Sequence, residues 1–174
     1  MLRKPRLLDW LALRSLYRSA FPKAERKPFW MIKKMYRRGV TDVWCLQNAG
    51  RFAGLAITIN SPQVVLLDYF AVRDDLRGRG VGTVALRALD RLYSPRGFFV
   101  EIESTLVPSA ELDLRLRRKK FYLAAGLEEM HTTARLFGVE MELLGRRCYL
   151  DYTQYHAFYR DHYSQWAAEH VQPL

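Results

Sequence analysis

Apolar and polar positions along this chain follow two rhythms, and each change of rhythm marks an element. Leu13, Leu16, Tyr17 and Ala20 recur at helical spacing, which predicts a helix over Leu7 to Phe21. "FPKAERKP" interrupts it with two prolines. A second helix is expected from Pro28 to Arg38, with Gly39 as its C-terminal cap. "DVWCLQ", "FAGLAITI" and "VVLLDYFAV" read as strands, with "NAGR" and "NSPQ" as the turns between them, so the sheet opens as an antiparallel meander. Beyond Arg73 to Gly82 the rhythm is helical again. Val81, Val84, Ala85, Ala88, Leu89 and Leu92 form an apolar stripe expected to pack on the sheet. "FFVEIES" is the next strand, and strand, helix, strand at this spacing is a parallel βαβ unit. A helix from about Ala110 to Ala125, capped by Gly126, precedes two strands, Glu128 to Leu136 and Val139 to Leu144. The aromatic stretch from Asp151 to Ala168 reads as helical.

The pattern predicts an α+β fold in α/β/α layers. Its mixed sheet is antiparallel at the start, has a central parallel βαβ unit, and carries helices on both faces. One domain is expected over residues 1–150, with a helical extension over 151–174 packed on it. No repeat or low-complexity linker breaks the chain.

Composition changes this picture little. At 174 residues the chain can bury one proper core. No apolar window approaches a membrane span. The N-terminus, "MLRKPRLLDWLALRSLY", is basic and partly apolar, but Asp9 and Arg14 interrupt it and no small-residue cleavage site follows. It reads as an amphipathic first helix, so a cytoplasmic protein with no membrane partner is expected. Cys45 and Cys148 lack metal-ligand spacing, which suits two idle thiols in a reducing compartment and no metal. The net charge of +10 favours anionic partners such as nucleic acid, phosphorylated cofactors or acidic surfaces, although a well-solvated basic surface gives the same number. A homodimer stays open.

The candidate chemistry lies in "RDDLRGRGVG", Arg73 to Gly82. Glycine-rich turns between strand and helix commonly hold phosphate. A Walker A loop is excluded, because Thr83 and Val84 follow the last glycine where Lys and Ser or Thr are needed. Gly80, Gly82 and Ala85 satisfy the dinucleotide pattern G-x-G-x-x-A, with Glu101 about twenty residues further on. That motif, however, needs its first glycine at the strand end, and here seven residues separate Val72 from Gly80. Arg77, Gly80 and Gly82 give R-x-x-G-x-G. Helix N-terminal N–H groups attract anions, glycines permit positive φ and close approach, and Arg77 and Arg79 supply charge-assisted contacts. A tight turn with surface arginines is the plain alternative.

"LDYFAVRDDLRGRGVGTVALRALDRLY" resembles the central cofactor motif of the GNAT superfamily of acetyl-CoA-dependent N-acetyltransferases. "RRKKFYLAAGL" resembles that family's F-Y-x-x-x-G-F ending, with Leu127 in place of Phe. Element order over Leu7 to Leu144 agrees as well. The resemblance implies acetyl-CoA as cosubstrate, with its phosphates on Arg77, Gly78, Arg79, Gly80, Val81, Gly82 and Thr83. It also implies the pantetheine arm along the backbone of Phe70, Ala71 and Val72, and direct attack by a primary amine. Tyr122 matches the family's acid position; a phenol of ordinary pKa, about 10, is protonated at neutral pH. The base is open. Glu103, Glu101 and Asp68, in that order, are candidates. The same carboxylates alternatively bind the acceptor, pair with Arg115 or Arg118, or face water, and a chain of waters can serve instead. At the acceptor end, Glu25 would meet an amine, and Phe29, Trp30 and Tyr36 would form an apolar wall or simply pack helices. "RLRRKK", Arg115 to Lys120, suits an acidic partner or a solvated face. The acceptor is a small molecule or a protein. The second functional class is a non-catalytic module that binds acyl-CoA or associates with nucleic acid.

Overall fold

The computed structural model describes residues 1–174, the side chain of Ala24 excepted. The chain divides into two compact units, Met1–Ser61 with Leu66–Tyr93, and Pro62–Val65 with Ser94–Leu174.

In the first unit, strand β1 (Leu2–Arg3) pairs antiparallel with β2 (Thr41–Asn48), which forms a hairpin with β3 (Arg51–Asn60). Ala49 and Gly50 turn that hairpin with φ of 47° and 76°, the left-handed pair that matches the twist of its strands. Strand β4 is Val65–Val72. Helix α1 (Asp9–Ala20) buries Leu13, Leu16 and Tyr17, and α2 (Phe29–Arg37) buries Ile32. They meet Val43, Cys45, Leu55, Ile57, Tyr69 and Ala71 in one core. Gly39 ends α2 as expected: at φ 74° it lets the N–H of Val40 reach the Met35 carbonyl at 3.1 Å. Helix α3 spans Val81–Tyr93 and buries Ala85, Leu86, Leu89 and Tyr93. Its inner face is therefore rotated from the expected stripe. Val84 and Leu92 are 53% and 44% exposed, while Leu86 and Tyr93 take the core positions. Tyr93 is fixed there by Thr58 at 2.8 Å and by the indole N–H of Trp44 at 2.9 Å.

In the second unit, β5 (Phe98–Glu103) pairs antiparallel with β7 (Val139–Arg146), β7 with β6 (Glu128–Leu136), and β6 with β8 (Val171–Pro173). The β6–β7 hairpin turns on Phe137 and Gly138, again both at positive φ. Helix α4 is Leu112–Ala124. The C-terminal stretch is two helices. Asp151 and Gln154 form a capping box for α5 (Tyr152–His162), and Ser164 caps α6 (Gln165–Glu169). Strand order is β1-β2-β3-β4 in the first unit and β5-β7-β6-β8 in the second. Strand, helix and strand follow one another from β4 through α3 to β5, and the strands are of a mixed, mostly antiparallel kind flanked by helices. This is the expected fold class. Strands β1 and β8 were not foreseen.

Candidate functional site

The glycine turn is open and largely unengaged. A 3-10 turn over Asp74–Leu76 separates Val72 from the glycines. Gly78 and Gly80 adopt φ of 74° and 76°, and a Cβ at either would meet nothing within 4 Å. Glycine is needed there for the sign of φ, not for room within the chain. Gly82 differs from expectation: it lies inside α3, in the helical region. The Gly80 carbonyl accepts the first helical bond, from the Val84 N–H at 3.0 Å. The N–H groups of Val81, Gly82 and Thr83 precede that bond and have no partner among the described residues. The positive end of the α3 dipole adds to them. Arg77 pairs with exposed Asp74 at 2.7 Å and Arg73 with Asp75 at 2.9 Å, while exposed Arg79 pairs with no described residue.

Phe70, Ala71 and Val72 close β4 just before this turn. Strand β3 passes them so tightly that a Cβ on Gly54 would stand 2.3 Å from the Ala71 carbonyl oxygen. Sequence reasoning missed Gly54. A lone glycine inside an otherwise continuous strand pattern was the available signal.

Tyr122 owes its placement to the end of α4. Gly126 takes φ 93°, and the Leu127 N–H turns back to the Tyr122 carbonyl at 3.1 Å. The sequence Tyr-Leu-Ala-Ala-Gly-Leu thus closes the helix with a glycine cap and locks the tyrosine one turn before it. Its side chain is 8% exposed, and its hydroxyl has no hydrogen-bond partner among the described residues. Burial pushes its pKa up to about 12, against a small opposing pull from Arg118.

The three candidate carboxylates are all engaged. Asp68 pairs with Lys27 at 2.5 Å, and the Lys27 ammonium also lies over the Tyr69 ring. The Tyr69 hydroxyl accepts from the Lys27 N–H at 3.2 Å and donates to the Glu25 carbonyl at 2.8 Å, so β4 holds the α1–α2 loop. Glu103 pairs with Arg115 at 2.6 Å. Glu101 accepts from the hydroxyls of Tyr155 and Tyr159 at 2.7 and 2.8 Å, both on α5. Phe99, two residues earlier on the same strand face, packs edge-on against Tyr155 and Phe158. The C-terminal stretch therefore covers the side of β5 that carries Glu101.

A further carboxylate went unforeseen. Glu142, 5% exposed on β7, accepts from Lys119 at 2.5 Å and from the Thr105 hydroxyl at 2.7 Å. Burial pushes its pKa up, but Lys119 and the two Thr105 donors together outweigh this and hold it below its ordinary value. Lys119 also pairs with Glu129 at 2.9 Å. The run from Arg115 to Lys120 is thus not a uniform solvated face, because Arg115 and Lys119, one turn apart, both serve internal carboxylates. The polar residue within the apolar run Met141 to Leu144 was the signal for Glu142.

At the acceptor-end loop, Glu25 lies in a 3-10 turn over Lys23–Glu25 and Trp30 is 64% exposed. Phe29 and Tyr36 are half-buried. They pack edge-on against Trp10, at 6.1 and 5.4 Å, and all three rest against the core, which is the helix packing expected as the alternative to an acceptor wall.

A model described as the acetyltransferase (GNAT) family matches residues 10–114, more than half of the chain. The chain belongs to the GNAT acetyltransferase family. The matched stretch contains the glycine turn, Asp68, Glu101 and Glu103, and it stops short of Tyr122 and the whole C-terminal stretch. Comparison with curated protein sequences finds no match. Among solved structures, a GNAT-family acetyltransferase from Bacteroides thetaiotaomicron is similar at a TM-score of 0.77 and 18% identity, covering 94% of this chain and 98% of that one. An aminoglycoside 6'-N-acetyltransferase complexed with coenzyme A is similar at 0.67 and 11%, covering 84% and 96%. The ribosomal-protein-S18-alanine N-acetyltransferase from Escherichia coli is similar at 0.60 and 17%, covering 86% and 94%. At these identities the likeness speaks for the GNAT fold and not for a shared substrate. Among the described residues no group of His, Cys, Asp or Glu could hold a metal ion, and no helix is long and apolar enough to cross a membrane.

Proposed function

We propose that this GNAT protein transfers the acetyl group of acetyl-CoA to a primary amine by direct attack, with Tyr122 as general acid. The observation that carries the reading is Tyr122: a largely buried ring whose hydroxyl has no hydrogen-bond partner among the described residues and which stays protonated throughout the neutral range. A hydroxyl with no internal partner keeps its proton available to a group that accepts a hydrogen bond from it.

The residues present fit acetyl-CoA. Its phosphates need donors and positive charge, and the turn offers the N–H groups of Val81, Gly82 and Thr83 and the side chain of Arg79, none of them paired among the described residues, with the open backbone at Gly78 and Gly80 and with Arg77 beside them. The backbone of Phe70, Ala71 and Val72 would hold the pantetheine arm. When bound, acetyl-CoA supplies an activated thioester. Tyr122 holds its proton at the phenolic oxygen and gives it to the departing thiolate. Glu103 is the first candidate base: its side chain is 23% exposed against 9% for Asp68, so it is the more accessible to an incoming ammonium. Glu101 and Asp68 follow, or a chain of waters in their place. Glu25 and exposed Trp30 would meet the acceptor. A cytoplasmic setting suits the reading.

The test is a thiol-release assay over a panel of amines, polyamines and peptide N-termini. The expected result is acetyl-CoA-dependent thiol release stimulated by at least one amine. Saturable acetyl-CoA binding with no acceptor-stimulated release would instead make the protein an acyl-CoA-binding module.

A further inference from the structure

Helix α1 carries apolar side chains on both of its faces. Leu13, Leu16 and Tyr17 enter the core. Leu7, Leu8 and Leu11, on α1 and the turn leading into it, are 87%, 80% and 73% exposed. Arg14, Ser15, Arg18 and Ser19 continue that outer face at the same helical spacing, all exposed, and with Leu11 they line a shallow groove along it. The one acid near the leucines, Asp9, is spoken for. Its oxygens hold Arg3 at 2.6 and 2.8 Å and the Arg6 N–H at 2.5 Å. Helix α2 packs beside α1 through Phe29 and Tyr36 and presents exposed Lys34 and Arg37, with exposed Arg38 just past its end.

We propose that the outer face of α1 is a peripheral docking surface for an anionic lipid bilayer. Three leucines exposed this fully gain by leaving water. Exposed aliphatic residues at one end of a helix, followed by arginines, match the two layers of a bilayer surface: leucines at the acyl boundary and guanidinium groups among anionic headgroups. Charge separates this occupant from the others. A second copy of the chain would set Arg14 and Arg18 against their own kind. A nucleic acid would use the arginines and leave the leucines in water. The expectation of no membrane partner rested on span length, which limits crossing and says nothing of a surface contact.

The experiment is flotation of the full-length protein with phosphatidylcholine vesicles, with and without phosphatidylglycerol. The expected result is partition onto the anionic vesicles at least about tenfold above the neutral ones, weakening as salt rises. Arg14→Gln with Arg18→Gln should cut partition by about fivefold per arginine. Leu7→Ser, Leu8→Ser and Leu11→Ser together should cut it by about tenfold or more. Both variants should keep the wild-type thermal shift with acetyl-CoA, which shows that the fold is intact. The proposal fails if folded wild-type protein does not float with anionic vesicles. It fails equally if the leucine variant floats as well as wild type, or binds RNA as wild type does while neither floats. Concentration-dependent dimerisation that the leucine substitutions abolish would assign the face to a second copy instead.

Discussion

The glycine turn of the first unit and the carboxylates of the second make opposite use of polar groups. In the turn, three backbone N–H groups and the exposed Arg79 have no partner among the described residues, and the glycines leave open space beside them. On β5 and β7, Glu101, Glu103 and Glu142 are each met by tyrosines, arginine, lysine or threonine. Unpaired groups at a helix start cost little in water and are ready for an anion. Carboxylates inside a sheet are costly unless they are paired, so the fold supplies the partners itself. The lesson is that charge density alone does not locate a ligand site. Asp68, Glu101 and Glu103 are the more conspicuous in sequence, but all three are paired within the fold, whereas the N–H groups of the turn and the Tyr122 hydroxyl have no partner among the described residues.

The largest expected effect concerns Tyr122 of the second unit, whose hydroxyl has no hydrogen-bond partner among the described residues. Tyr122→Phe keeps the ring and removes the hydroxyl. If that hydroxyl is the general acid, kcat should fall by about 10²–10⁴ with acetyl-CoA affinity nearly unchanged. Because burial holds the phenol near 12, no wild-type rate loss below about pH 10 should be traceable to it. Wild-type turnover by a well-folded variant would make Tyr122 structural.

Lys119→Met tests the paired side directly. It strands Glu142, and a buried carboxylate that loses its cation should cost about 3 kcal/mol of stability by denaturant unfolding, at the low end for such pairs because Thr105 still donates. Acetyl-CoA affinity per folded molecule should not change. If stability is unchanged, Glu142 is better hydrated than its burial suggests.

Gly80→Val addresses the unpaired side. A β-branched residue at φ 76° should cost about 1–3 kcal/mol in strain and disturb the start of α3, weakening acetyl-CoA binding about tenfold or more in calorimetry. Gly82→Ala should do less, because position 82 is already helical. Equal losses at both positions would show that space for the phosphates matters more than the sign of φ.

The smallest effect concerns acid. Arg3 donors, aided by the Arg6 N–H and opposed by burial, hold the Asp9 carboxyl down at about 2 from 3.8. A lowered folded pKa contributes stability that is complete above about pH 4 and lost as pH falls toward 2. Melting curves across that window should show a slightly steeper loss for wild type than for Asp9→Asn.

Much of this was legible in the sequence. The helix and strand periods, the two glycine caps at Gly39 and Gly126, and the R-x-x-G-x-G turn all depend on neighbours within a few residues. What was hidden depends on distant ones. Two or three residues of β1 and β8 carry no period of their own and exist as strands through their pairing with Cys45 and Leu46 on β2 and with Ala134 to Leu136 on β6. The rotation of α3 follows from Tyr93 reaching Thr58 and Trp44, which no helical stripe reveals. Glu101 could be singled out as a charge in an apolar strand, but its tyrosine partners lie more than fifty residues away on α5.

Gly54 has a consequence for the lineage of this protein. Every replacement adds a Cβ, and that atom would stand 2.3 Å from the oxygen of Ala71 and 3.1 Å from the Cα of Val72. Both neighbours are backbone, so no rotamer change makes room. Position 54 is therefore closed to neutral drift. A variant library selected for folding alone should return glycine there almost without exception, while the exposed glycines at 78 and 80 admit residues that tolerate the left-handed region, such as asparagine.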